Sequence, residues 1–256
     1  MLSVIVLTKN AEKTIKECLD SLSFAGEIVI VDDLSNDNTV RIAKTLGAKV
    51  YSRKLAGDFS AQRNFGLEKA RGEWSLFVDS DEKIDRDLKA EIEKELNHNR
   101  KMNGYYFKRN DQFLGRWLRF GETGKVRLLR LGRKNKGTWQ GKVHETWEIK
   151  GPTKVFENPI YHQREITISE FMDRIQNYAQ LRAKELYQKR VKESPLRIFF
   201  NPLFKFLDNY FFKLGILDGE AGLAMAWLMS WHSLLVRLNL ALYWRNHGQK
   251  EFKVED

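Results

Sequence analysis

The chain has 256 residues, 44 of them Lys or Arg and 34 Asp or Glu, with a formal net charge of +10 and a pI near 9.5. That length exceeds a typical single domain without making two full ones, so one catalytic domain with an appendage is expected. A single cysteine, Cys18, excludes an internal disulfide framework, and the basic balance points to an anionic partner.

Residues 2–7 (LSVIVL) read as a continuously apolar strand of a parallel sheet. Thr8, Lys9 and Asn10 follow, with Asn10 as a helix N-cap, and Ile15, Leu19 and Leu22 then recur on one helical face. Residues 27–31 (EIVIV) form a second strand running into Asp32 and Asp33. In the loop after it Asp37 and Asn38 read as caps and turn formers, and a helix carries Val40, Ile42, Ala43 and Leu46 to a left-handed Gly47. A third short strand is expected at 48–52 and a helix at 61–70, ending near Gly72. In residues 74–82 (WSLFVDSDE) an apolar strand then stops abruptly in Asp79, Asp81 and Glu82.

Strand side chains alternate faces, so Asp79 and Asp81 can point the same way at the carboxyl edge of the sheet, where open α/β folds bind ligands. Carboxylates there suit a hard divalent ion, Mn²⁺ or Mg²⁺. In the alternative reading these acids cap the helix that follows. Strands alternating with helices imply right-handed crossovers and a parallel sheet covered on both faces.

The segments VIVLTKNAEKTIKECLDSL, IVIVDDLSNDNT and AQRNFGLEKARGEWSLFVDSDE together resemble the nucleotide-sugar-binding half of the family 2 glycosyltransferases, over about the first hundred residues. The resemblance implies the GT-A fold: an α/β architecture with a mostly parallel sheet flanked by helices. It implies that Thr8 and the Asp32/Asp33 pair, with Asn10 on the same edge, hold the base or ribose of a nucleoside diphosphate sugar. It implies that Arg63 approaches base or phosphates, that Asp81 is a metal ligand, and that Asp79 contacts ribose or metal. The chemistry suits those roles, because a carboxylate accepts from a hydroxyl or ring N–H and a guanidinium donates bidentately to phosphate. Arg63 and Asn64 also read as a solvated helix face.

Basic residues gather after position 100: Lys108, Arg109, Arg116, Arg119, Lys125, Arg127, Arg130, Arg133, Lys134 and Lys136. Nucleic acid would suit such charges, but no helix-turn-helix, zinc site or aromatic RNA-binding strand accompanies them, so no nucleic acid partner is expected. A phosphorylated sugar-lipid, an anionic membrane surface or a surface made for solubility explains them equally. Residues 139–151 (WQGKVHETWEIKG) set His144 and Glu145 between aromatic residues, where desolvation favours a general base of the kind that inverting sugar transfer needs. The VHE segment resembles the branch of family 2 that includes the lipopolysaccharide core glucosyltransferases, which implies catalytic roles for Glu145 and His144. Otherwise Glu145 pairs with Lys142 or an Arg on a strand surface. His162, in NPIYHQ, is either a further metal ligand or a polar strand end. The family's Q-x-x-R-W motif is absent, which argues against a processive cellulose-type or chitin-type synthase.

The segment TISE, with Thr167 and Glu170, is a capping box that opens an amphipathic helix running to about residue 192 through Phe171, Ile175, Tyr178, Leu181 and Leu186. Ser194 and Pro195 break it. Phe199, Phe200, Phe204, Phe206, Phe211 and Phe212 then lie among Arg197, Lys205 and Lys213, as in a helix at a bilayer surface. The apolar run 221–236, ended by Arg237, falls short of the about 20 residues needed to span. The expected organisation is a catalytic domain at 1–165, with 1–100 binding the nucleotide sugar and 101–165 facing the acceptor. The helical extension at 166–256 associates with membrane or forms a homo-oligomer. The single cysteine, with no apolar leader before the first strand, suggests the cytoplasm. The expectation is a metal-dependent inverting transferase, peripheral on the inner face of the cytoplasmic membrane. It would move a hexose from a nucleoside diphosphate sugar of the UDP-glucose type to a lipopolysaccharide-core or other lipid-linked acceptor. The alternatives are a polyprenyl-phosphate or protein glycosyltransferase, or an inactive nucleotide-binding membrane scaffold.

Overall fold

A computed structural model describes residues 1–98, 101–141, 145–163 and 167–251, apart from the side chains of 125 and 247–251. In chain order its elements begin β1 (Leu2–Thr8), α1 (Ile15–Ser21), β2 (Glu27–Asp32), α2 (Thr39–Thr45), β3 (Lys49–Ser52), α3 (Phe59–Lys69) and β4 (Trp74–Asp79). There follow β5 (Glu82–Lys83), α4 (Arg86–His98), β6 (Gly104–Phe113), β7 (Arg116–Leu118), β8 (Arg127–Arg133), β9 (Gly137–Gln140) and β10 (Thr146–Ile149). The chain ends with β11 (Thr153–Val155), β12 (Ile160–His162), α5 (Ile168–Gln188), α6 (Pro195–Leu207) and α7 (Gly219–Glu251). It divides into two compact units, Met1–Asp111 with Lys125–Gln163, and Gln112–Gly124 with Arg164–Asp256.

In the first unit the strands run β3-β2-β1-β4-β8-β6-β12-β5, with β11 beside β6. The β1–β2, β1–β4 and β2–β3 pairs are parallel, as crossover helices require, whereas β8 is antiparallel to both β4 and β6. Apolar side chains on both faces of β1 and β4 explain the central place of these strands. Val4, Val6, Leu76 and Val78 share one core with Ile15 and Leu19 of α1 and Leu88 and Ile92 of α4. Ile5, Val31 and Phe77 share the other with Leu67 of α3, Trp139 of β9 and Trp147 of β10. The two indoles meet Phe77 edge-on at ring-centroid distances of 4.9 and 5.0 Å, which fixes the β9–β10 hairpin over β4. Gly66 brings α3 close to β1, since a Cβ there would lie 2.5 Å from Ile5 Cγ2.

Several local expectations change. Asn10 caps no helix: its φ is +48°, and its carboxamide oxygen accepts the Asn36 N–H at 3.0 Å, tying the loop after β1 to the loop after β2. Leu46 follows α2 and is exposed, although Gly47 takes the expected left-handed turn at φ +81°. Helix α3 begins before residue 61 because Asp58 caps it, accepting the Ala61 N–H at 2.8 Å. The acids at the end of β4 do not cap α4, for Asp85 does so through the Leu88 N–H at 2.9 Å.

The second unit is built on α5, α6 and α7. The Thr167–Glu170 capping box forms as expected. The buried stripe of α5, however, is Ile175, Ala179, Ala183 and Leu186, and the expected core positions Tyr178 and Leu181 are exposed. Ala179, Ala183 and Leu186 pack against Val236 and Leu240 of α7, and small side chains permit that close approach. Ser194 caps α6 with Pro195 in its first turn, where a missing N–H costs nothing. Arg237 does not end the last helix, which runs on to Glu251. Leu196, Phe199, Phe204 and Phe212 are exposed, Phe212 at 81%. Among the described residues no helix is long and apolar enough to cross a membrane.

One carboxylate ties the amino ends of β1, β2 and β3 together. Glu27 accepts from the Ser3 hydroxyl at 2.6 Å, from Lys49 Nζ at 2.8 Å and from the Arg71 N–H. Burial opposes its charge, yet these donors hold its pKa down at about 2 against an ordinary 4.5. Because the folded value is depressed, the stabilisation is complete above pH 4.5 and disappears as pH falls towards 2. Replacing Glu27 with Gln should therefore lower stability by about 1–3 kcal/mol at pH 7. Urea titrations of both proteins across that pH range should converge at the acid end, and a gap independent of pH would show that the clamp is not ionic.

Candidate active site

The carboxyl ends of β1, β2 and β4 meet along one edge of the first unit, because parallel strands end together. At the end of β1 the Thr8 hydroxyl donates to Asp32 Oδ1 at 2.9 Å, and Asp32 Oδ2 accepts the Ser35 N–H at 2.9 Å. Asp33 accepts from Lys9 Nζ at 2.7 Å and from the Leu55 N–H at 2.8 Å, and the lysine bond keeps its pKa below the usual carboxylate range. Both acids are buried and fixed in place. Asp37 accepts the Thr39 and Glu12 N–H groups, a turn-forming role as expected.

At the end of β4 the expected acids gather a larger cluster. Asp79 accepts from Arg63 Nη2 at 3.1 Å and from Arg130 Nη1 and Nη2 at 3.2 and 2.6 Å. Burial works against its charge, but Arg130 and Arg63 hold Asp79 well below the ordinary carboxylate range. Arg63 is no solvated residue: it is 5% exposed, lies 4.7 Å over the Trp139 ring and also donates from Nε to Glu145 Oε1 at 3.0 Å. Arg63 thus joins β4 to Glu145, 82 residues away, so the partner of Glu145 is a buried arginine from α3. Asn64 has a structural role, bonding both the N–H and the carbonyl of Trp139 at 3.0 and 2.9 Å as a neighbouring strand would. His144 and Lys142 lie outside the described residues.

Asp81 and His162 sit together, with Asp81 Oδ2 3.2 Å from His162 Nε2. His162 Nδ1 lies 2.6 Å from Asp111 Oδ1, a contact that orients the ring. Burial alone would lower the imidazole pKa, yet the bonds to Asp111 and Asp81 outweigh it and bring it up to about 9. His162 thus ends β12 held between two carboxylates. Among the described residues no three His, Cys, Asp or Glu side chains form a ready cage. A carboxylate beside an oriented imidazole fits a divalent ion that displaces the Nε2 proton, its other positions filled by water and phosphate oxygens.

The sequence reading missed Arg130, which it counted among surface cations. Arg130 is 5% exposed and reaches Glu82 Oε1 at 3.5 Å as well as Asp79. Its aim comes from a bulge: Tyr105 pairs with Leu131 and Tyr106 with Leu129, leaving Arg130 as the extra residue of β8. Glu82, its pKa raised by burial, accepts the Asp79 N–H at 2.9 Å and so braces the same turn. Cys18 lies behind it, its thiol raised by burial first and by Glu82 next. Replacing Arg130 with Met would leave buried acids uncompensated, at an expected cost of about 3–5 kcal/mol in a denaturant titration. A cost below about 1 kcal/mol would show that Arg63 alone balances Asp79.

The profile "Glycosyl transferase family 2" matches residues 3–148. An uncharacterized glycosyltransferase of Rickettsia typhi is 27% identical over 239 residues, covering 86% of this chain and 80% of its own. A lipopolysaccharide core biosynthesis glycosyltransferase, LpsC, of Rhizobium meliloti is 25% identical over 217 residues, covering 82% of this chain and 80% of its own. Among solved structures, glucosyl-3-phosphoglycerate synthase from Mycobacterium tuberculosis superposes with a TM-score of 0.50 at 19% identity, over 76% of this chain and 81% of that one. That likeness concerns the fold, which is of the GT-A type. With more than half its length inside the family profile, and relatives that share most of both chains, this glycosyltransferase belongs to glycosyl transferase family 2.

Proposed function

We propose that the chain is a metal-dependent, inverting hexosyltransferase that uses a nucleoside diphosphate sugar of the UDP-glucose type. The acceptor in this reading is the lipopolysaccharide core or another lipid-linked saccharide, a choice supported by the name of the Rhizobium relative. The observation that carries the reading is Arg63, which holds Asp79 on one side and Glu145 on the other and so sets a donor-side acid and a candidate base in one cluster.

In the proposed mechanism Thr8, Asp32 and Asp33 receive the base and ribose, with Asn10 shaping the loop beside them. Asp79, fixed by two guanidinium groups, meets ribose or metal, and Arg63 turns a donor towards the diphosphate. Asp81 and His162 would hold Mn²⁺ or Mg²⁺. The ion would neutralise charge on the departing diphosphate. Glu145 accepts the proton of the acceptor hydroxyl as that oxygen attacks the anomeric carbon from the face opposite the leaving group. His144 stands next to Glu145 in sequence and is the second candidate for that proton. The second unit holds the enzyme on the cytoplasmic face of the membrane, a reading supported by exposed Phe199, Phe204 and Phe212 among Arg197, Lys205 and Lys213. A homo-oligomer covering the same aromatics is the competing use of that face.

Replacing Glu145 with Gln should slow transfer by about 10²-fold or more and leave donor binding intact. Replacing Asp81 with Ala should remove the metal-dependent part of donor binding, read by calorimetry with and without Mn²⁺. Loss of donor affinity in the Gln variant with turnover preserved, or unchanged metal dependence in the Ala variant, would overturn the corresponding role.

The membrane reading has its own test. The double substitution Phe199→Glu with Phe204→Glu should abolish flotation of the full chain with anionic vesicles while leaving donor binding unchanged. Flotation equal to the parent chain would place the contact elsewhere, and a shift from dimer to monomer without any vesicle binding would assign the face to self-association.

A further inference from the structure

The first unit carries a second concave feature on the face that bears the β9–β10 hairpin, with a volume of about 1070 Å³. Its wall is joined to the site already described through neighbouring residues of the chain. Leu129 precedes Arg130, which holds Asp79, and Thr146 follows Glu145. From Thr146 the cavity follows β10 to Lys150, about 13 Å further along an extended strand. Small-ligand sites span about 300–1,000 Å³, so the space suits several linked sugars better than one.

The lining changes character along that path. At the Glu145 end of the hairpin it is lined by the paired, exposed Gln140 and Thr146, while Trp147 beneath them is buried in the core. At the far end it presents cations. The Lys150 N–H donates to the Lys136 carbonyl at 2.8 Å, which keeps those two residues side by side, whereas the ammonium of Lys134, also on the wall, donates to the Ala70 carbonyl. Lys136 and Lys150 are exposed and have no ion pair among the described residues. Glu148 is the one carboxylate among the residues lining the cavity. Lysines set beside hydroxyl and amide groups, with little acid to neutralise them, match a ligand that is a sugar along its length and an anion at one end.

We propose that this cavity is an acceptor subsite for an oligosaccharide bearing phosphate or carboxylate groups, with its reacting hydroxyl at the Glu145 end and its anionic group between Lys136 and Lys150. The assignment rests on the transferase reading above and adds to it the charge of the acceptor and the residues that select it. The donor diphosphate belongs to the other end, at Arg63 and Asp81, so the two anions do not compete for one set of cations.

The test uses the full chain, the double variant Lys136→Glu with Lys150→Glu, and a delipidated lipopolysaccharide core oligosaccharide as probe. Calorimetric binding of this probe should weaken at least tenfold in the variant, and its KM in transfer from UDP-glucose should rise similarly with kcat little changed. Hydrolysis of UDP-glucose without acceptor should stay at the parent level, since the substitutions lie away from the donor edge. Phosphatase treatment of the probe separates the sources: if the lysine effect disappears the anion is phosphate, and if it persists the anion is a carboxylate. Equal probe binding by parent and variant would overturn the subsite. Lysine-dependent binding without any turnover of nucleotide sugars would support the subsite while sinking the transferase reading, so the two failures are distinguishable.

Discussion

Carboxylates at the edge of a buried sheet have to be balanced, and this protein meets that requirement where Asp79 and the fully buried Glu82 stand together at the end of β4. Asp79 stands at the end of a buried, mainly apolar strand, and an unpaired charge there would be destabilising. Two guanidinium groups answer it from opposite directions, Arg63 from α3 and Arg130 from the bulge of β8. Each in turn explains a part of the fold. The close approach of α3 to β1 at Gly66 brings Arg63 to the sheet, and the broken register between β8 and β6 aims Arg130 at the acid. Glu145 belongs to the same balance, because Arg63 spans both carboxylates.

The edge proposed to receive the donor is already held in place by hydrogen bonds within the chain. Asp32 and Asp33 are already bonded to Thr8, Ser35, Lys9 and the Leu55 N–H, and His162 is already turned by Asp111. Groups fixed in this way lose little freedom on binding, which is how an enzyme lowers the entropic cost of orienting a reaction. In the proposed mechanism the same rigidity keeps Glu145 near the acceptor, since Arg63 is itself held by Asp79 and lies against Trp139. The Trp139 backbone is pinned by Asn64 one residue further along α3, so Glu145, Arg63 and the hairpin form one mechanical piece.

The features that could be read directly carry local information. Apolar runs ending in Asp32/Asp33 and in Asp79 mark strands, Gly47 marks a left-handed turn, and Thr167 with Glu170 marks a helix start. What escaped depends on partners far apart in sequence. Arg130 looked like one surface cation among ten, and only the β6–β8 register shows that it is buried. Asn10 has the composition of a cap, yet its carboxamide serves a loop 26 residues away. On α5 the larger residues Tyr178 and Leu181 suggested the core face, but close packing on α7 selected Ala179 and Ala183. Arg237 ends an apolar run without ending a helix, since arginine is a good helix former, and it pairs with Glu193 at 3.1 Å.

In the proposed enzyme the acids after β4, the Asp81–His162 pair and Glu145 act around one donor sugar. The decisive measurement is a crystal structure with Mn²⁺ and UDP-glucose, its metal located by anomalous scattering. An anomalous peak bonded to Asp81 and His162 is expected, with phosphate oxygens on the ion, Arg63 facing the diphosphate, and the free face of the glucose open towards Glu145. Nucleotide bound away from Thr8, Asp32 and Asp33, or a metal peak that touches neither Asp81 nor His162, would contradict that reading.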